Sequence, residues 1–163
     1  MTEQCIFCLI AAGTVPSHRV YEDDSVVAFL DIAPIRLGHV QIIPKRHHIC
    51  FDDLPIDLIS QITTLAQRIA KVHKLIFKVS RVGFAFTGHD IAHAHAHVVP
   101  LFGPDDITSR RYIVEEVVTY RNPPRPSEAE MAKVADDLRA GMRLLALPEG
   151  QHTSLISTID NSL

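Results

Sequence analysis

The sequence predicts an α+β fold, a five-stranded antiparallel sheet with a long helix and a further helix near the C-terminus. Three observations carry that prediction. Short apolar runs follow one another through turns too short for crossover helices, one long stretch repeats its apolar residues with a helical period, and three histidines alternate with alanines as only a strand would align them.

Taken in order, "RVYEDDSVVAFLDIAP" reads as two strands around the turn-forming Glu22-Asp23-Asp24-Ser25, and "GHVQIIP" as a third strand ending at Pro44. From Asp57 to about Val79, apolar residues fall at 58, 59, 62, 65, 66, 69, 72, 73, 76 and 77, with His73 counted among them. That is the stripe of an amphipathic helix, and Pro55 suits its N-terminal boundary. "VGFAFT" and "DIAHAHAHVVPLF" supply the fourth and fifth strands. In "YRNPPRPSEAE" three prolines within four residues exclude regular structure and mark a linker. "PSEAEMAKVADDLRAGMRLLAL" then reads as a helix opened by Ser127, with Glu130 three residues on as in a capping box. The expected organisation is a domain over 1–104 and an extension over 105–163, with no internal repeat and no low-complexity tract.

The chain has 163 residues, of which 47% are hydrophobic and 21% charged, an ordinary globular balance able to bury a core. A formal charge of -3 argues against a nucleic-acid polymer or an anionic membrane as partner, although Lys45-Arg46-His47-His48 could meet a small phosphate. The N-terminal apolar run "IFCLIAAG" lacks the basic flank and the length of a signal peptide, so the expected location is cytoplasmic. Three cysteines, two of them as Cys5-x-x-Cys8, then fit metal or redox chemistry better than a disulfide framework, unless they are simply small buried hydrophobes.

In a strand, His93, His95 and His97 would line one face about 6.7 Å apart. Such a row repels itself when charged and is costly to bury, which leaves two chemical readings beside a half-buried polar surface. Neutral imidazoles can bind a metal, or one ring can attack an electrophile while its neighbours orient it. Ala94 and Ala96 on the opposite face would let another layer pack close. Other positions read as structure: Cys50 as core, His73 on or beside the apolar helix face, His18 and His152 at the surface, Asp105-Asp106 as a solvated turn and Thr14-Val15-Pro16 as a loop.

"HAHAHVV", joined in order to "EDD…AFLDI.P…GH….PK.H", resembles the histidine triad (HIT) nucleotide hydrolases and transferases, with the bacterial Hint-like group the nearest branch. The resemblance covers roughly Cys5 to Phe102 and implies a HIT-like fold. It implies catalysis by His95 as a nucleophile toward the α-phosphorus, His97 facing the phosphate or leaving group, and His39 as an orienting partner. Asp31 would accept the ribose hydroxyls of a purine nucleotide, Phe7, Ile10, Phe29, Leu30 and Ile32 would line the base pocket, and Thr87 and His89 would lie along the phosphate. Cys5, Cys8, His47 and His93 would hold a structural zinc, with His48 set aside in favour of His47, and the protein would be a homodimer.

The phosphate loop departs from that pattern. In "FTGHDIAHAHAH" Thr87 replaces an asparagine, Gly88 or His89 stands where glutamine is usual, and Asp90 replaces serine or threonine. A carboxylate beside a phosphate is repulsive by about 1 kcal/mol at 4 Å even in water, which predicts a rearranged loop. The implied activity is hydrolysis of nucleoside phosphoramidates or dinucleoside polyphosphates. The alternatives are a nucleotide- or metal-binding regulatory module with little turnover, and a nucleotidyltransferase.

Overall fold

The structure is a computed structural model that describes residues 5–87, 90–103, 106 and 125–145. Helix α1 spans Ile6–Ala11 and precedes strands β1 (Arg19–Glu22), β2 (Val26–Leu30) and β3 (Val40–Pro44). Helix α2 (Ile56–Phe77), strands β4 (Arg81–Thr87) and β5 (His95–Leu101), and helix α3 (Glu128–Leu144) complete the order. The strands form one antiparallel sheet, β1-β2-β3-β5-β4, as expected for α+β. Among the described residues no helix is long and apolar enough to cross a membrane. His152 and most of the proline-rich linker lie outside the described residues.

The β1–β2 turn follows from Asp23, whose Oδ1 accepts the backbone N–H groups of Ser25 and Val26 at 2.8 and 2.9 Å. β2 and β3 are buried at every position because both sheet faces are covered. α1 packs over one face with Phe7, Ile10, Val27, Phe29 and Ile43. α2 and α3 cover the other, where Ala28, Leu30, Ile42 and Val98 meet Ile69, Val72 and Leu138. A β-bulge between Arg19 and Tyr21 turns both Val20 and Tyr21 toward the helical side.

α2 forms where the helical period predicts it and stops at Lys78, which takes the left-handed conformation at φ 53°. His73 is wholly buried on it. The capping box of α3 is formed: Ser127 Oγ accepts the Glu130 N–H, and the Glu130 carboxylate accepts the Ser127 N–H at 2.9 Å. Gly141 brings α3 against α2 so closely that a Cβ there would lie 2.4 Å from Val72 Cγ1. The helix of the extension thus lodges its apolar face in the same core as the sheet.

Three expectations need correction. β5 begins at His95 rather than Asp90, because the preceding residues bend to carry His93 out of the ladder. Cys50 is exposed at the entry to a 3₁₀ turn, Phe51–Asp53, instead of lying in the core. Asp106 is an anchored turn residue: it takes Arg36 at 2.5 Å and the N–H groups of Phe102 and Gly103. Asp105 is outside the described residues.

Candidate functional site

Two groups of chemistry-bearing residues meet at the N-terminal end of β5. The first joins α1 to the sheet. Cys5 caps α1 and Cys8 lies one turn on, while His47 follows β3 and His93 precedes β5. Cys8 Sγ is 3.2 Å from His47 Nδ1, and Cys5 Sγ is 3.4 Å from His93 Nδ1. All four ligand atoms lie within 4.8 Å of one another. His93 Nε2 is 2.9 Å from the Pro44 carbonyl, which can only accept, so the ring proton sits on Nε2 and the Nδ1 lone pair faces the thiols. Burial, with the adjacent Cys5, pushes the Cys8 thiol up, the opposite of what a redox or nucleophilic cysteine needs. Two sulfurs and two imidazole nitrogens in this arrangement fit a metal with a closed, tetrahedral shell.

The second group lies on the same face of the sheet. His95 is 5% exposed, and its Nδ1 lies 2.7 Å from the His93 carbonyl. That contact requires Nδ1–H, which leaves the His95 Nε2 lone pair available. Next to it, a ladder of neutral groups fixes the other rings. The Ile35 N–H donates to His39 Nδ1 at 3.3 Å, so His39 Nε2–H donates to His97 Nδ1 at 2.8 Å. His97 Nε2–H then points to Thr87 Oγ1 at 2.6 Å. Burial holds His39 below its ordinary value and, with His39 and His95 close by, pushes His97 down to about 4, so both rings are neutral at pH 7.

Asp31 leaves β2 beside this ladder. Its Oδ1 accepts the Ala33 N–H at 2.7 Å, and its Oδ2 accepts Gln41 Nε2 at 2.5 Å with His39 Nδ1 3.5 Å away. Gln41 is the functional neighbour that the sequence reading missed; its position two residues after His39 on a strand was the available signal. Its buried Oε1 has no hydrogen-bond partner among the described residues, an acceptor without a donor.

The apolar residues divide. Phe7, Ile10 and Phe29 gather under α1, and the Phe7 ring stands edge-on to both His93 and His95, with centroids 5.8 and 5.1 Å apart. Ile32 is 63% exposed beyond that cluster. Leu30 is a correction: strand alternation turns it to the opposite face, into the core beneath α2, so it lines no pocket with Phe29. His39 stands behind His97 rather than His95. Thr87 joins the ladder, and His89 lies outside the described residues.

Comparison with known proteins now gives the lineage. The HIT domain matches residues 12–103. The chain belongs to the HIT family. An uncharacterized HIT-like protein of Methanocaldococcus jannaschii is 35% identical over 111 residues, 62% of this chain and 81% of that one. The adenosine 5'-monophosphoramidase of Saccharomyces cerevisiae is 35% identical over 97 residues, 59% of this HIT protein and 61% of the yeast enzyme. A crystal structure of a zinc-bound histidine triad family protein from Mycobacterium smegmatis superposes with a TM-score of 0.66 at 28% identity, covering 88% of this chain and 96% of that one. α1 with its two cysteines, and α3, lie outside the matched HIT domain.

Proposed function

We propose that this HIT protein is a nucleotide hydrolase that cleaves purine nucleoside phosphoramidates or dinucleoside polyphosphates at the α-phosphate, through a nucleotidyl group carried on His95. The observation that carries the reading is the His95 Nδ1 contact to the His93 carbonyl, which presents an unprotonated Nε2 beside a hydrogen-bond donor. In this reading the Nε2 lone pair attacks phosphorus, the bond from phosphorus to the leaving nitrogen or oxygen breaks, and the leaving group, stabilised by a hydrogen bond from the neutral His97 Nε2–H, takes its proton from water. Water then displaces the nucleotide from His95, which regains its Nε2 lone pair, and the proton of that water passes to solvent. Asp31 receives the ribose hydroxyls, with Gln41 Nε2 holding its Oδ2 in place, while Phe7, Ile10, Phe29 and Ile32 border the base.

Cys5, Cys8, His47 and His93 would hold a zinc ion in a structural role, tying α1 to the segment that enters β5. The exposed free thiol of Cys50, at the entry to the 3₁₀ turn, suits a reducing, cytoplasmic setting. The edge strand β4, with Phe84 43% exposed, supports a homodimer formed along that edge.

Rapid mixing with adenosine phosphoramidate followed by an alkaline quench should trap the nucleotide on the peptide containing His95, since phosphorus bound to histidine nitrogen survives base. His95→Ala should lower turnover by roughly four to six orders of magnitude. Label on His93 or His97, or full turnover in His95→Ala, would reject the mechanism. AMP binding without label or turnover would leave a binding module instead.

A further inference from the structure

On the helical side of the sheet, at the β1 edge, a cleft of about 400 Å³ opens between β1, α2 and α3. Four arginines line it: Arg19 from β1, Arg68 from α2, and Arg139 and Arg143 from α3. In a chain of net charge -3 this is a local concentration of positive charge. Two of the four pair with carboxylates. Arg19 pairs with Glu22, which Lys45 also meets at 2.8 Å, and Arg139 pairs with Asp136 at 2.5 Å while donating to the Arg19 carbonyl. Arg68 lies over the Tyr21 ring, 5.8 Å from its centroid, and donates to the Tyr21 hydroxyl, but neither it nor Arg143 has a carboxylate partner among the described residues.

The position of Arg143 in the last turn of α3 suits the helix dipole, which accounts for its charge but not for its sharing a cleft with Arg68. Two guanidinium groups from different helices provide more donors than a lone carboxylate can accept, whereas a tetrahedral phosphoryl dianion can take a pair from each. The volume exceeds what a bare anion fills and falls in the range of small-molecule sites. Met142, Val20 and the Tyr21 ring supply apolar wall for the rest of such a ligand.

We propose that this cleft binds a small phosphomonoester, its phosphoryl group held by Arg68 and Arg143. The site is separate from the triad: it lies on the other face of the sheet, on the first strand of an order in which β5 is fourth. It exists only because α3 is present, and α3 lies beyond the matched HIT domain, so the extension supplies two of the four arginines. A bound phosphomonoester would bridge α2 and α3 and stabilise their packing.

The test is calorimetric titration of the full chain with ribose 5-phosphate in low salt, with ribose as the control. Ribose 5-phosphate should bind one to one, ribose should not, and added salt should weaken binding. Arg68→Gln and Arg143→Gln, both at the cleft surface, should each weaken binding by about tenfold to a hundredfold, the loss of hydrogen bonds to a charged group. Asp31→Ala should leave it unchanged. Absence of binding at millimolar ligand, binding indifferent to both arginine variants, or binding lost in Asp31→Ala would overturn the proposal, the last by placing the ligand at the triad.

Discussion

His95 has its tautomer set by a carbonyl two residues upstream, and that carbonyl belongs to a residue whose ring faces two thiols. The nucleophile proposed here is therefore oriented by backbone, while its neighbour His97 is oriented by side chains. Substituting His97 with alanine should lower turnover by about a hundredfold to a thousandfold, the loss of one donor to the developing charge, and should leave the nucleotidyl label on His95 detectable by mass analysis. Asp31→Ala should weaken ribonucleotide binding by about tenfold to a hundredfold and deoxyribonucleotide binding by less; equal losses would remove the ribose from its assigned partner. The facing of His95 and His97 was legible because a two-residue period has one structural meaning, whereas His93 lies before β5, where the backbone bends. Leu30 was misplaced for want of the same rule, since Phe29 and Leu30 are adjacent and must face opposite ways. Gln41 was legible in position but not in role, because only the fold brings its amide to Asp31.

At the level of elements, α2 could be read from its period and α3 from its cap, since both signals are local. α1 could not, because six residues are too few for a helical stripe to stand out from an apolar run. It is held to the sheet by Phe7 and Ile10 and by the four-residue Cys/His cluster, so chelation of the proposed zinc should loosen α1. Elemental analysis should find close to one zinc per chain, and its removal by chelator should lower the thermal midpoint; metal-free protein of equal stability would dismiss the clamp. The contact between α2 and α3 turns on Gly141. A methyl group there meets Val72, so Gly141→Ala should destabilise the protein by about 1–3 kcal/mol despite its better helix propensity, as denaturant unfolding would measure. A stabilised variant would show that the helices can separate without loss.

For the molecule as a whole, acid sensitivity should trace in good part to a histidine far from solvent. Burial pushes His73 down to about 4 from an ordinary value of 6.5. Between those values the unfolded chain binds a proton that the folded chain does not, so stability rises with pH: the contribution is complete above about 6.5 and is lost as the pH falls toward 4. Its size is about 3 kcal/mol, and His97 acts in the same direction. Unfolding free energies measured across that range should fall more gently in His73→Met; an unaltered slope would locate the linkage in other groups. The alternation of β5 carries one more consequence. Ala94 and Ala96 press their methyl groups into the helical core while His95 and His97 face the other way, on a strand hydrogen-bonded on both sides. No local fluctuation can release these imidazoles without taking apart the core behind them. Amide hydrogen exchange at 96–98 should accordingly proceed only through global unfolding, so that the rigidity of the histidine row is as great as the stability of the entire protein and no greater.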